Sequence, residues 1–471
     1  MKRPTHKPAL AAILLGISLS LLSSCQKFTE IGPPVNQLTS ENIFTNDATA
    51  NSAIVGIYSR LSQSGLIQSV TPLTGMYSDE LSNYTPSAQN EFTLSKLGRA
   101  SSPTINSNFW NSAYQFIYPA NAAIDQLEKS NGISAALKSS LTGEAKFIRA
   151  YLYLNLTCLF GEVPIITATG YTQNLSLPRS PRRAVMDLII TDLKEAAASL
   201  PEKIESEKIR ANRWSALALL ARVYLYDGQY EQAAQTASEL IESKRFSLTA
   251  DPGKAFLKNS SEAILQLYPT QTNQNTPDGV SFLPASATEV QKYYLTPSLL
   301  NSFEPGDLRK TSWVTSRLYL GQTYFYPCKY KVINNATLSE YLMILRLAEQ
   351  YLIRAEARIR TGNIPGGAAD LNILRRRSRP LATPMLPDPM ADLDQNMEKP
   401  LALLMVEKER RIELMTEIGH RWFDLQRTGR AENILAALKP DTWLPTASLW
   451  PVPEEQLRLN PFLTQNPGYN K

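Results

Sequence analysis

Histidine is almost absent from this sequence. Its 471 residues include only two, His6 and His420, and His6 lies in an N-terminal segment that we expect to be removed. A zinc site built from several imidazoles is therefore excluded from the mature chain. A Ser-His-Asp triad would have to be built around His420. Beside Arg421 and Trp422, however, His420 is predicted to be a hydrogen-bonded packing residue rather than a catalyst.

Cysteine and charged residues are also scarce. There are three cysteines and no CxxC pair, and charged residues make up 19% of the chain, against about 25% in an average soluble protein. The net charge is +5, and three of the cations precede the first apolar stretch, so a nucleic-acid footprint is not expected. The basic run at 375–379 is typical of the last turn of a helix. With 43% hydrophobic residues, the chain can bury a large core.

The N-terminus is predicted to be a lipoprotein signal peptide over residues 1–24. The apolar run from Ala9 to Leu22 follows a basic start, and it is shorter than the roughly 20 residues that a membrane span needs. The residues from Leu22 to Cys25 (LSSC) resemble a bacterial lipobox. This resemblance implies cleavage before Cys25 and its acylation, with chains such as palmitate that anchor the protein stably. The alternative is an ordinary signal peptide with an incidental cysteine.

Residues 25–45 are then predicted to be a lipidated tether, since they contain Gly32, Pro33 and Pro34. Acylation would leave Cys158 and Cys328. Cys158 lies in an apolar helical pattern, which favours a buried free thiol. A single Cys158–Cys328 bridge is the alternative in an oxidising compartment.

Helical periodicity dominates two stretches of the chain. One has Trp214, Leu217, Ala221 and Tyr224, a turn at Asp227-Gly228, and then Tyr230, Ala233, Ala237 and Leu240. The other runs from Leu338 through Leu342 and Leu345 to Ile359, turns at Gly362, and continues from Ala368 to Leu374. Both resemble tetratricopeptide hairpins, with Ala221 and Ala355 in the small-residue positions. A weaker third pair is Ala145–Phe160 with Ala184–Leu200, and unrelated packed hairpins are the alternative.

The segments at about 65–108 and 246–338 are irregular and polar. Short stretches such as Ala263–Leu267 and Tyr324–Tyr330 suggest strands, and the prolines between Pro380 and Pro400 predict a loop. We therefore expect a scaffold that is mainly α-helical, interrupted by irregular segments of loops and short strands, and the length alone suggests about three structural units. Ligand binding usually resides in such segments.

Aromatic side chains in these segments are candidates for sugar binding, because their faces can stack on the C–H side of a pyranose ring. The aromatic candidates are Tyr77, Tyr84, Trp313, Tyr319 and Tyr324, and the polar candidates are Asp79, Asn83 and Arg317. The alternative for each residue is packing at the junction of loop and scaffold. A peptide ligand would use the same face through main-chain hydrogen bonds and apolar pockets.

No catalytic, metal or cofactor site is predicted. The sequence Asp392-x-Asp394-x-Asn396 opens like a calcium loop, but Met397 and Leu403 occupy the positions that need Gly and Glu. The 43 acidic residues leave a glycosidase carboxylate pair open, although no pair stands out. There is no P-loop.

The C-terminal quarter carries motifs that resemble one family. These are Glu409–Leu414 (ERRIEL), Gly419–Leu425 (GHRWFDL), Trp450–Glu454 (WPVPE), Asn460-Pro461 and Gln465–Tyr469 (QNPGY), joined near the start by Phe44, Ala53, Gly56, Tyr58, Phe109-Trp110 and Asn121. They are similar to the SusD/RagB outer-membrane lipoproteins. The resemblance covers essentially the whole mature chain.

This resemblance implies that residues 46–471 form a single, mainly α-helical domain of tetratricopeptide-like helices with an irregular ligand-binding face of loops and short strands. It also implies a lipid-anchored protein at the surface of the outer membrane, which captures oligosaccharides or peptides for a SusC-type TonB-dependent transporter. We therefore expect a nutrient-binding protein without enzymatic activity. The alternatives are a surface glycoside hydrolase and a scaffold without a small ligand.

Overall fold

The computed structural model describes residues 43–84, 90–286 and 289–469. About 53% of these described residues are helical, which confirms the predicted fold class. The α-helices are α1 (Asp47–Leu61), α2 (Gly65–Tyr77), α3 (Asn90–Thr93), α4 (Ser102–Ile105), α5 (Asn111–Lys129), α6 (Ala135–Phe160), α7 (Tyr171–Asn174), α8 (Arg182–Ser199), α9 (Arg213–Tyr226), α10 (Tyr230–Glu242), α11 (Pro277–Phe282), α12 (Pro297–Leu300), α13 (Leu308–Trp313), α14 (Leu347–Arg360), α15 (Ile364–Arg377), α16 (Lys399–Glu413), α17 (His420–Arg427), α18 (Ala431–Leu438) and α19 (Glu454–Leu459). The strands are β1 (Leu81–Asn83), β2 (Ala263–Leu267), β3 (Tyr293–Leu295), β4 (Val314–Tyr319), β5 (Gln322–Pro327) and β6 (Leu342–Arg346). Within the described ranges, no helix has the length and apolar character that crossing a membrane requires.

The predicted helical hairpins are present. Helix α9 packs against α10, α14 against α15, and α6 against α8. A capping box at Asn212 starts α9, and Gly228 turns the chain after it with a φ of 75°. Gly367 of α15 lies so close to α14 that an added Cβ would stand 2.7 Å from the carbonyl oxygen of Ala355. Small residues therefore set the distance between the paired helices.

Two predicted boundaries are wrong. The second hairpin begins at Leu347, because Leu342–Arg346 forms strand β6, antiparallel to β2. All five residues of β6 are buried, and a short run buried on every side has no period that separates strand from helix. The segment predicted to be irregular from residue 65 opens with α2, which Ser64 caps through its side chain. Ten of the 13 residues of α2 are buried, including all eight from Val70 to Tyr77, so most of this helix lacks the polar face that marks other helices.

One continuous apolar core contains residues from both ends of the described chain, from Phe44 to Leu463. Near its centre, the ring of Trp450 lies 4.9 Å from Phe109 and 5.3 Å from Phe92, between centroids. The C-terminal segment therefore packs against residues from the first quarter of the chain. The short strands β1, β3, β4 and β5 lie beside this scaffold and carry the aromatic residues described next.

Candidate functional site

Strands β4 and β5 form a two-residue hairpin. Leu320 and Gly321 occupy its turn with φ values of 47° and 79°, the left-handed pair of a type I′ turn, which matches the twist of the strands. The register pairs Tyr319 with Gln322 and Arg317 with Tyr324. Because directly paired and alternate residues share a face, these four side chains lie on one side of the hairpin.

A second pair of strands places two more tyrosines beside this hairpin. Strand β1 is antiparallel to β3, and just beyond it the amide of Tyr84 donates a hydrogen bond of 2.8 Å to the carbonyl of Lys292. On β3, Tyr293 is buried and Tyr294 is half-buried. Strand β3 in turn lies next to β5. The two pairs of strands therefore bring Tyr84 and Tyr294 to the tyrosines of the hairpin.

We call Tyr84, Tyr294, Tyr319 and Tyr324 the tyrosine cluster. The ring centroid of Tyr84 lies 5.5 Å from that of Tyr319 and 5.4 Å from that of Tyr324, with interplanar angles of 81° and 86°. Tyr294 lies 5.0 Å from Tyr324 at 73°. These are edge-to-face contacts, the geometry that ring quadrupoles favour. All four side chains are half-buried, so each keeps part of its surface in solvent.

The pKa of the Tyr84 phenol is shifted by the groups around it. Partial desolvation, followed by the hydroxyl of Tyr319, raises the pKa of Tyr84 above its ordinary value. Tyr84 therefore keeps a neutral hydroxyl group at physiological pH, and phenol hydroxyls can both donate and accept hydrogen bonds. A set of aromatic faces edged by hydroxyls can bind a neutral polar molecule such as a sugar.

The structure thus brings together three of the five aromatic candidates, Tyr84, Tyr319 and Tyr324. Arg317 lies on the same face of the hairpin, and its guanidinium donates to the carbonyl of Ser286 at 2.9 Å. Asn83 is half-buried and hydrogen-bonds the side chains of Asn90 and Thr93. Sequence reasoning missed Tyr294, because the adjacent Tyr293-Tyr294 pair gives no sign of which ring points into the core.

Two other candidates are corrected. Tyr77 is fully buried and its hydroxyl donates to the carbonyl of Ala447 at 2.7 Å. Asp79 is 3% exposed and forms ion pairs of 2.7 Å with Arg421 and Arg411. Tyr77 ends helix α2, and Asp79 lies within the junction that follows it. Both residues therefore hold the scaffold and face no ligand.

Trp313 is also corrected. It is fully buried, and its indole nitrogen donates to the carbonyl of Pro252 at 2.9 Å. The ammonium of Lys329 lies 4.4 Å from its ring centroid. This cation–π contact and the hydrogen bond use both the face and the polar edge of the indole. Trp313 is a packing residue, as the alternative reading allowed.

The first C-terminal motif, Glu409–Leu414, contributes two carboxylates to a buried ionic network. The guanidinium of Arg309 is inaccessible to solvent and contacts Asp307, Glu409 and Glu413. Burial alone would raise the pKa of Glu413, but Arg377, Arg346 and Arg309 hold it well below its ordinary value. Glu409 and Glu413 lie one turn apart on α16 and both contact the guanidinium of Arg309. Glu409 and Glu413 are 2% and 0% exposed, so a substrate in solvent cannot reach either carboxylate.

His420, in the second C-terminal motif (Gly419–Leu425), is buried as well. It is 3% exposed, and its Nδ1 lies 3.5 Å from the hydroxyl of Tyr226. Burial and then the charge of Arg222 lower the pKa of His420 well below its ordinary value, so the ring is neutral. This confirms the prediction of a packing residue.

The described cysteines and acidic residues suggest no metal chemistry. Cys158 and Cys328 are both buried and free, so the predicted free thiol at Cys158 is confirmed. Asp392, from the sequence that opened like a calcium loop, pairs instead with Arg376 and Arg379. In residues 43–84, 90–286 and 289–469, no group of three or more His, Cys, Asp or Glu side chains is arranged to hold a metal ion. Cys25 lies outside the described residues.

Comparison with known proteins agrees with the motifs. The model of a SusD-like family, described as "Starch-binding associating with outer membrane", matches residues 28–225. SusD-like protein P38 of Formosa agariphila is 26% identical to this chain, over 97% of the chain and 98% of the relative. The chain is therefore similar to SusD-like proteins over nearly its whole length. A second SusD-like protein of the same organism, P25, is 21% identical over 95% of the chain and 96% of its own length.

Solved SusD-like structures share the fold. A SusD homolog from Bacteroides thetaiotaomicron superposes with a TM-score of 0.78 at 19% identity, covering 91% of this chain and 98% of that one. A laminarin-binding SusD-like protein superposes with a TM-score of 0.72 at 23% identity, covering 90% of this chain and 100% of that one. The arrangement of helical hairpins with a small strand region is therefore the SusD fold.

Proposed function

We propose that this protein binds oligosaccharides at the tyrosine cluster and does not alter them chemically. The observation that carries this proposal is the convergence of four half-buried tyrosine rings on two adjacent pairs of strands. Their exposed faces can stack on the C–H side of pyranose rings, and their hydroxyls and Arg317 can bond the sugar hydroxyls. The starch-binding description of the family and the laminarin-binding structural relative support a glycan ligand. A peptide ligand remains an outcome of the test.

We further propose that the protein works on the outside of the outer membrane. Residues 1–24 would be the signal peptide, acylated Cys25 would hold the protein to the outer leaflet, and residues 25–45 would tether the single domain formed by residues 46–471. A SusC-type TonB-dependent transporter would receive the bound ligand. The family description, which includes association with the outer membrane, supports this placement.

Two buried carboxyl groups bear on the absence of catalysis. Desolvation raises the pKa of both Glu80 and Asp278 to about 7, a value suited to general acid–base work. Each is only 3% exposed, however, so a polysaccharide cannot reach either one. These groups are better explained as the cost of placing carboxylates in the core than as a glycosidase pair.

Calorimetry on soluble protein beginning at Gln26 tests the proposal. The panel contains laminarin, starch, other oligosaccharides and peptides, and the release of reducing ends is followed in the same samples. We expect saturable binding of a glycan without product. Product formation would contradict the non-enzymatic role, and binding of peptides alone would replace the ligand class. If no compound of the panel binds, the tyrosine cluster of the isolated protein is not sufficient for binding.

A further inference from the structure

A cavity separate from the tyrosine cluster lies in the helical scaffold, between the C-terminal half of α14, helix α16 and helix α17. Its volume is about 400 Å³, and no tyrosine of the cluster lines it. Its walls are formed by Glu356, Arg360, Pro400, Leu403, Leu404, Val406, Glu407, Arg410, Arg421, Asp424, Leu425, Arg427, Thr428 and Arg430. Five of these residues are arginines and three are carboxylates, so positive charge is in excess.

Part of this charge is balanced by tight ion pairs. Glu356 accepts two hydrogen bonds from Arg427, of 2.8 and 2.6 Å. Asp424 accepts from the Nε atoms of Arg427 and Arg410, at 2.8 and 2.7 Å. Glu356 and Asp424 thus accept three hydrogen bonds from Arg427 and only one from Arg410.

The third carboxylate is shared as well. Glu407 accepts from Arg421 at 3.3 Å and from the Nε of Arg430 at 3.1 Å, while Arg421 is held mainly by Asp79 outside the cavity. The nearest carboxylate to Arg360 is Glu356, at 3.5 Å. The excess positive charge therefore rests on Arg410 and on the two arginines nearer solvent, Arg360 and Arg430.

Arg410 is the least satisfied of the three. Its side chain is 2% exposed, and neither terminal nitrogen has a hydrogen-bond partner among the described residues. Leaving a buried charged donor without a partner is unfavourable, because its lost hydration is not replaced. In contrast, the side chains of Arg360 and Arg430 are 30% and 40% exposed, so a ligand can reach them directly.

We propose that this cavity binds an oxyanion, a carboxylate or sulfate group, between Arg360, Arg410 and Arg430. Guanidinium groups bind such anions through paired, charge-assisted hydrogen bonds. A small turn of the Arg410 side chain toward the cavity would give its terminal nitrogens the partner that they lack. Leu403, Leu404 and Leu425 form an apolar wall that suits the body of a small organic anion. The site is independent of glycan binding at the tyrosine cluster.

The test uses sodium glucuronate, sodium sulfate and neutral glucose as probes, by calorimetry at low ionic strength, since salt screens exposed charges. We expect both anions, or one of them, to bind saturably and glucose not to bind at this site. Arg360→Gln and Arg430→Gln should each weaken anion binding about tenfold, because each removes a charge-assisted hydrogen bond. Arg183→Gln is the matched control, since Arg183 is an exposed arginine that also pairs with carboxylates.

The relative affinities of the two anions identify the source of the oxyanion. Tighter binding of glucuronate supports the site with an organic anion as its ligand, and tighter binding of sulfate supports it with a free inorganic anion. Thermal melting first establishes that each variant is folded. Failure of both anions to bind saturably, or equal binding by Arg430→Gln and Arg183→Gln, would overturn the proposal. Tyr84→Ala should leave anion binding unchanged, so this test is separate from that of the glycan site.

Discussion

Asp278 provides a quantitative test of the buried electrostatics. It lies in the first turn of α11 and is 3% exposed. Its Oδ2 accepts a 3.3 Å hydrogen bond from Thr71, and its Oδ1 has no partner among the described residues. Desolvation is the main cause that raises its pKa from 3.8 to about 7; the charge of Glu417 also raises it, and that of Lys329 lowers it.

Proton linkage gives the direction in which the free energy of unfolding changes with pH. Because the pKa of Asp278 is higher in the folded state, its stabilising contribution is complete below pH 3.8 and is lost as the pH rises toward 7. Between pH 5 and pH 8 the loss is about 3 kcal/mol, from about two units of pKa at 1.36 kcal/mol each. Asp278→Asn cannot ionise, so this loss should disappear in the variant.

Urea unfolding at pH 5 and pH 8 measures the effect. Relative to the wild type, Asp278→Asn should be more stable at pH 8 than at pH 5 by about 3 kcal/mol. The control is Asp125→Asn, which removes a partly exposed carboxylate of α5 that pairs with Lys129, and it should show no comparable change. If the wild type and Asp278→Asn have the same pH dependence, the carboxyl group is not ionising in a desolvated site and the reasoning is refuted.

Three further predictions concern the scaffold. Gly367→Ala should lower the free energy of unfolding by about 2 kcal/mol or more, since its Cβ would collide with α14, whereas Gly56→Ala, whose Cβ meets nothing within 4 Å, should be neutral or stabilising; equal effects would contradict the close packing. Arg309→Met should cost about 3–5 kcal/mol in urea unfolding, because it leaves three buried carboxylates with less compensation; a cost below about 1 kcal/mol would contradict the network. In the soluble protein, Cys158 and Cys328 should react with a thiol reagent only after unfolding, since burial raises the pKa of the Cys158 thiol to about 11 and that of Cys328 as well; fast labelling of the native protein would contradict their burial.

The helical hairpins could be predicted because their signal is local. Apolar residues recur every three or four positions in α9 and α10, and Gly228 marks the turn between them. Strand β6 and helix α2 could not be predicted in the same way. All five residues of β6 and the eight from Val70 to Tyr77 in α2 are buried, so these runs contain no polar face from which a period can be read.

The candidate site was predictable in part for a related reason. Composition indicates which segments are irregular, and Tyr84, Tyr319 and Tyr324 do lie together there. The direction of each side chain depends on partners distant in sequence, as with Asp79, whose ion pair with Arg421 spans 342 positions. Trp313 likewise lies in a segment that the sequence predicts to be irregular, yet it ends helix α13 and is fully buried. Only the three-dimensional arrangement separates such packing residues from those that face solvent.

The central claim is that the tyrosine cluster binds a glycan, and truncation of its rings tests this most directly. The measurement is the calorimetric affinity of Tyr84→Ala and Tyr324→Ala for the glycan that the wild type binds. The matched control is Tyr118→Ala, since Tyr118 is 53% exposed on α5 and lies outside the cluster. We expect each cluster variant to bind at least about tenfold more weakly, or about 1.4 kcal/mol, while the control binds like the wild type. Unchanged affinity in folded Tyr84→Ala and Tyr324→Ala would contradict the account.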